Sequence, residues 1–215
     1  MIIHEPVTLL TDYLLTLLGG GLAWRLWRDP AMSIAAVRWW FRALLVLALS
    51  ALVGGSYHGF APNFPGIVDE IWWRLVLWTI CLLGYTMGAA LVCEFSSSSG
   101  RVFLKRLLVT KLVLSSTIVL ILPDFFVAII DYGSAMLAWL VGALMVRRTW
   151  RGWIIVAVLL SMAAAWVQQN GAQWAGVLNH NDLFHLIQAL ALVAFYRAAL
   201  RMGGTEVRSL FGWAA

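Results

Sequence analysis

The chain has 215 residues, of which 62% are hydrophobic and 12% are charged, and its formal net charge is +5. A soluble globular domain is about half apolar and about a quarter charged, so this composition excludes a soluble domain, a disordered tail and a disulfide scaffold. A membrane-spanning helix needs roughly 20 apolar residues, so a chain of this length holds about seven spans and no separate soluble domain.

Seven apolar runs follow one another along the chain. They cover residues 7–26, 37–57, 71–93, 103–122, 125–146, 150–167 and 183–201. The connections between them contain turn and breaker residues, such as Asp29-Pro30, Pro62-Asn63-Phe64-Pro65 and Asn170-Gly171. We therefore predict an all-α fold, a polytopic seven-transmembrane-helix bundle that forms a single domain over residues 1–215.

The basic residues are concentrated on one side of this predicted bundle. The first, third and fifth connections, the C-terminal tail and the adjoining helix ends contain all but one of them: Arg25, Arg28, Arg38, Arg42, Arg101, Lys105, Arg106, Lys111, Arg147, Arg148, Arg151, Arg197, Arg201 and Arg208. The other side has only Arg74. The positive-inside rule then places the N-terminus outside and the C-terminus in the cytoplasm. Lys111, about two turns into the fourth span, is expected to snorkel to the cytoplasmic surface.

Polar residues are concentrated on the opposite, predicted outer side. It contains all four histidines and most of the acids: His4, His58, His180, His185, Glu5, Asp12, Asp69, Glu70, Asp124, Asp131 and Asp182. Only three acids, Asp29, Glu94 and Glu206, fall on the inner side. This clustering predicts that the functional site lies at the outer end of the bundle.

Two acidic residues lie within predicted spans. Glu5, Thr8 and Asp12 form one polar stripe on the first helix. Asp12 lies more than a turn below the interface, where an unpaired carboxylate costs on the order of 3 kcal/mol, so it should face the bundle interior and have a partner. Asp131, a turn and a half into the fifth span, is a further candidate.

Two short segments resemble the alkaline ceramidases. His58 precedes Asp69-Glu70 by eleven residues, as a helix-ending histidine precedes an Asp-Glu pair in those proteins. Asn181-Asp-Leu-Phe-His185 resembles the His-x-x-x-His opening of their seventh helix. The wider group is the CREST superfamily, which includes adiponectin-receptor type proteins and is thought to consist of intramembrane zinc-dependent hydrolases.

The resemblance implies a zinc site in which His58 and His185 are ligands and Asp69 holds the attacking water. Asn181 stands where the family has its third histidine, so the third ligand would be the adjacent His180, Asp12 or Asp69. The family's serine position is occupied by Gly54, with Ser56 close by. The catalytic candidates are therefore Asp69, Asp12 and Ser56, and the candidates for orienting ligands or substrate are Glu5, Asn181, Gln188 and Asp131.

Three classes of function remain open from the sequence. The first is a zinc-dependent hydrolase of a lipid amide or ester, which meets its substrate at the outer side. The second is a non-catalytic seven-helix protein that binds a lipid or another ligand, or that serves as a subunit of a membrane complex. The third is an electron-transfer protein in which His58 and His185 ligate a b-type haem.

We expect a membrane lipid and no nucleic acid as partner; the oligomeric state is left open. The short connections favour a bacterial inner membrane.

The predicted orientation can be tested by labelling intact cells. In a chain whose Cys81 and Cys93 are replaced by alanine, Asn170→Cys should react with a membrane-impermeant maleimide. Ser99→Cys should react only after the cells are permeabilised, because the third connection is predicted to be cytoplasmic. The reverse pattern would contradict the orientation.

Overall fold

The computed structural model describes residues 1–203, which form seven long α-helices. They are α1 (Pro6–Trp27), α2 (Ala35–Phe60), α3 (Gly66–Phe95), α4 (Ser98–Ile121), α5 (Phe125–Met145), α6 (Arg151–Gln169) and α7 (His180–Met202). Short 3-10 helices, Pro30–Ser33 and Ala61–Asn63, follow α1 and α2, and residues 1–203 contain no β-strand. The prediction of an all-α fold is confirmed. Glu206 and Arg208 lie outside the described residues.

Six of the seven helices are long and apolar enough to cross a membrane, and the chain is accordingly a multi-pass integral membrane protein. The exception is α4, which is 24 residues long and contains Arg101, Lys105, Arg106 and Lys111. The fourth predicted span therefore corresponds to a helix whose composition does not by itself mark it as a span. A seventh crossing stays a prediction.

Helix ends extend beyond the apolar runs on the side where polar residues cluster. The third run was predicted to begin at residue 71, yet α3 begins at Gly66 and includes Asp69 and Glu70 in its first turns. Similarly, α2 continues through His58 to Phe60. Hydropathy marks the part of a helix that lies among apolar groups, whereas a polar helical turn outside that part gives no such signal.

The helices alternate in direction, so the bundle has two chemically different ends. The end at which α1, α3, α5 and α7 begin is called the polar end, and the opposite end is called the basic end. Helix α1 packs against α2 and α7, α3 against α2, α4 and α5, and α6 against α5 and α7. Within residues 1–203, α4 contacts no long helix except α3 and α5 and therefore lies on the outside of the bundle.

Large aromatic side chains fill the core at the basic end. The ring of Trp40 lies 5.2 Å from that of Trp139 and 5.1 Å from that of Phe195, measured between centroids. Trp150 packs edge-on against Trp139, and its indole N–H donates to Glu94 at 3.1 Å. These residues come from α2, α3, α5, α7 and the position just before α6, so the aromatic core joins most of the bundle at this end.

Close approach of α1 and α2 depends on small residues at their contact. A Cβ atom placed on Gly55 would lie 2.6 Å from the Cβ atom of Asp12, and one on Gly19 would lie 3.2 Å from the Cβ atom of Ala48. Small residues at helix contacts let backbones approach each other where no hydrophobic effect drives association. Gly55 thereby positions Asp12 at the polar end.

Gly55→Ala should lower the stability of the protein by about 1–3 kcal/mol, because the added methyl group forces α1 and α2 apart. The matched control is Gly20→Ala, where a new Cβ atom meets nothing within 4 Å and alanine favours the helix. Thermal unfolding of the purified variants in detergent measures the difference. Equal unfolding midpoints would contradict the packing argument.

Candidate functional site

A buried hydrogen-bond network joins the first turns of α1 and α7 at the polar end. The hydroxyl group of Thr8 donates to Oδ1 of Asp182 at 2.8 Å and accepts from Nδ2 of Asn179 at 3.2 Å. Asn179 and Asp182 also form a capping box, in which each side chain accepts from the backbone N–H of the other. Thr8 and Asp182 are thereby satisfied although both are buried.

One turn deeper, Asp12 of α1 meets His185 of α7. Oδ1 of Asp12 lies 3.2 Å from Nε2 of His185, and Nδ1 of the same imidazole lies 2.9 Å from the hydroxyl oxygen of Thr11. Asp12 and His185 are both buried. We expected Asp12 to face the bundle interior and to have a partner, because a polar group at this depth needs one. Its burial and its contact with His185 confirm that expectation.

A second imidazole comes from the end of α2. Nδ1 of His58 lies 3.3 Å from Oε2 of Glu5, at the start of α1. Each of the two histidines in the cluster therefore has a carboxylate from α1 beside it: Glu5 for His58 and Asp12 for His185. We call the four residues Glu5, Asp12, His58 and His185 the polar cluster.

Beneath the polar cluster lies a cavity of about 710 Å³. Six helices line it, all except α4, and its walls include Asp12, His58 and His185. The rest of the wall is mostly apolar, with residues such as Leu15, Leu47, Val76, Ile80, Leu83, Ile129, Met136, Leu140 and Val158. Pockets for small ligands measure about 300–1,000 Å³ and combine an apolar wall with a few polar groups.

Five of the predicted site residues do not line this cavity: Asp69, His180, Ser56, Glu5 and Asp131. Asp69 is half-buried in the first turn of α3, and His180 is the first residue of α7. The hydroxyl of Ser56 donates to the backbone oxygen of Leu52 at 2.7 Å and lies 2.9 Å from the Tyr13 hydroxyl. The Ser56 hydroxyl group is thus engaged in hydrogen bonds where α2 packs against α1. These contacts do not support its predicted catalytic role, which stays a prediction.

Two other predicted residues do line the cavity. Asn181 accepts a hydrogen bond from Nε2 of Gln168 at 3.1 Å, so it links α7 to α6. Nε2 of Gln188 lies 3.5 Å from the Tyr132 hydroxyl group, at the limit of a hydrogen bond. Sequence reasoning missed Tyr132 and Ser161, which also line the cavity; a single tyrosine or serine within an apolar run carries no signal of its own.

Asp131 lies outside the cavity, in an ion pair with α4. Nζ of Lys111 lies 2.8 Å from Oδ1 of Asp131 and also donates to its backbone oxygen at 2.8 Å. The prediction that Lys111 snorkels to the basic surface is wrong, because its ammonium group binds a buried carboxylate instead. The pair attaches the peripheral helix α4 to α5.

The side chains at the polar end do not form the ligand set of a catalytic zinc, which needs three protein ligands and an open position. Nowhere in residues 1–203 do three or more His, Cys, Asp or Glu side chains stand in a group suited to a metal. Both ring nitrogens of His185 have partners, Thr11 and Asp12, and Nδ1 of His58 faces Glu5. The same contacts disfavour His185 as a haem ligand. Zinc and haem stay predictions that this geometry does not support.

The fold and site define a multi-pass helical membrane protein with a polar cluster above an apolar cavity. The profile of a family of unknown function, DUF6962, matches residues 7–203, so the chain belongs to that family. No curated protein and no solved structure matches it. The family match carries no information on the resemblance to the CREST superfamily, which stays a prediction.

Lys111→Met should destabilise the protein by about 3 kcal/mol, because it leaves the Asp131 carboxylate buried without its cation. The double variant Lys111→Met, Asp131→Asn should recover most of that loss, since no unpaired charge remains. Unfolding midpoints in detergent provide the comparison. Additive losses in the double variant would show that the two side chains act independently.

Proposed function

We propose that this protein binds an amphipathic lipid within the membrane, with the lipid's polar group at the polar cluster and its hydrocarbon chain in the cavity. The observation that carries the proposal is the division of the cavity wall: Asp12, His58 and His185 lie at one end, and apolar side chains form most of the remainder. The shape and chemistry of such a cavity match a ligand that is polar at one end.

The cavity reaches the outer surface of the bundle between α5 and α6. Leu137 of α5 and Met162 of α6 both line it, yet their exposed fractions are 60% and 54%. In a bilayer these two side chains would face lipid. A ligand that already lies in the bilayer can therefore enter from the side, between the two helices.

The charge of the polar cluster favours a neutral or cationic headgroup. Glu5 and Asp12 contribute carboxylates, and within the described part of the chain no lysine or arginine lines the cavity. A phosphate or carboxylate headgroup would lie beside two acidic residues and would find no lysine or arginine within residues 1–203 to compensate its charge. An amine or a hydroxyl group could instead donate hydrogen bonds to Asp12.

The headgroup, rather than the chain, should determine the affinity. Lipid tails are as apolar as the cavity wall, so moving a hydrocarbon chain from the bilayer into the cavity gains little free energy. Selectivity then depends on hydrogen bonds at the polar cluster. Because the basic residues are concentrated at the opposite end, we propose that the polar end lies at the outer face of a bacterial cell membrane.

A second candidate, hydrolysis of a lipid amide or ester, is favoured by the contact between Asp12 and His185 in the cavity wall. A water molecule would attack the lipid carbonyl carbon while this pair accepts its proton. The bond to the amine or alcohol breaks, and the leaving group takes a proton back.

A fluorogenic acyl amide and a fluorogenic acyl ester in nanodiscs test this candidate. Product release by the wild type that Asp12→Asn and His185→Gln abolish would support hydrolysis. No release by the wild type would rule hydrolysis out.

Gly133→Phe should block lipid entry and reduce hexadecylamine binding at least tenfold. Gly133 lines the cavity and its Cβ position has no atom within 4 Å, so the new ring can occupy the opening without straining the fold. Native mass spectrometry of the delipidated protein measures binding. The matched control is Gly21→Phe on the exposed face of α1, which also has open space and lies away from the cavity.

The same assay tests the headgroup. The wild type should bind hexadecylamine and hexadecanol more tightly than hexadecyl sulfate, because no lysine or arginine of the described chain lines the cavity to compensate the charge of a sulfate. Equal binding of all three by the wild type and by Gly133→Phe would mean that the lipids associate with the outer surface, and the proposal would be rejected.

A further inference from the structure

A second group of polar side chains lies inside the cavity, apart from the polar cluster. It consists of Tyr132 on α5, Ser161 on α6 and Gln188 on α7, and all three line the cavity. We call these three residues the inner polar group. None of the three is ionised at neutral pH.

The inner polar group lies at one level of the bundle. Each of its residues is seven or eight residues from the polar end of its own helix, which corresponds to about 10–12 Å along the helix axis. Gln188 is three residues beyond His185 on α7, so the inner polar group lies about 4.5 Å deeper than the contact between His185 and Asp12. That separation equals the length of a few carbon–carbon bonds.

Part of the hydrogen-bonding capacity of the inner polar group is unused within the described protein. Ser161 is 2% exposed, and its hydroxyl oxygen has no hydrogen-bond partner among residues 1–203. A serine within a helix commonly donates to the carbonyl one turn earlier, as Ser115 does to Lys111 at 3.0 Å. Ser161 makes no such bond.

Leaving a buried hydroxyl group unpaired has an energetic cost, and a ligand can remove it. An unsatisfied buried polar group costs about 1–3 kcal/mol. Ser161 lies in the wall of the cavity near Tyr132, whose hydroxyl group also faces Nε2 of Gln188 at 3.5 Å. Donors and acceptors from three helices therefore converge on one point of the cavity.

We propose that the inner polar group is a subsite for a neutral hydrogen-bonding substituent, a hydroxyl group, carried on the ligand's chain a few carbons from its headgroup. The inference rests on the proposed lipid-binding function and specifies the class of lipid. A charged substituent is disfavoured, since the inner polar group offers no opposite charge. A plain hydrocarbon chain would leave Ser161 unpaired.

The test uses two hexadecane diols that share a terminal hydroxyl group and carry the second hydroxyl on either the fourth or the tenth carbon. The wild type should bind the first isomer about three- to tenfold more tightly, which is the usual net contribution of one hydrogen bond. Ser161→Ala should remove this preference by weakening only the first isomer. Tyr132→Phe provides a second variant with little change in volume.

The matched control is Ser115→Ala, which removes a buried serine hydroxyl from α4, outside the cavity; it should keep the preference. Equal binding of the two isomers by the wild type, or an unchanged preference in both Ser161→Ala and Tyr132→Phe, would overturn the subsite and leave lipid binding intact. Equal binding would indicate that water already satisfies these groups, and an unchanged preference would indicate that other residues recognise the second hydroxyl. Failure of the wild type to bind either diol, hexadecylamine or hexadecanol would overturn the proposed function as well.

Discussion

The contact between Asp12 and His185 joins α1 to α7, and the polar end depends on it. A carboxyl group and an imidazole within an apolar bundle need polar partners, and Asp12 and His185 are partners of each other. Thr8 and Asp182 add a second bond between the same helices. Gly55 allows α2 to pack closely against Asp12 from the other side. Three helices are thus fixed around one buried polar contact, and the cavity opens beneath it.

The two ends of the bundle differ in how they are filled. At the basic end, Trp40, Trp139 and Phe195 pack against one another and occupy the space between the helices. Toward the polar end, small residues such as Gly54 and Gly133 line the cavity instead. An aromatic core joins the helices at one end while a cavity remains open near the other. The fold therefore does not depend on the ligand that we propose for the cavity.

Much of the architecture could be predicted from the sequence. The apolar runs indicated the helices, and the segregation of histidines and acids indicated the end at which the polar cluster lies. Pairings between side chains could not be predicted, because they depend on how helices rotate against one another. Lys111 shows this: its position suggested snorkelling, whereas α4 places it against Asp131. The cavity and Ser161 were missed for the same reason. Spacing alone also could not reveal that both nitrogens of His185 already have partners.

The most direct test of lipid binding is a structure of the protein determined by electron microscopy in lipid nanodiscs containing hexadecylamine. Our account predicts elongated density that enters between α5 and α6, fills the cavity and ends within hydrogen-bonding distance of Asp12 or His185. A cavity that contains only water, or one that collapses so that Leu137 and Met162 close against the opposite wall, would contradict it.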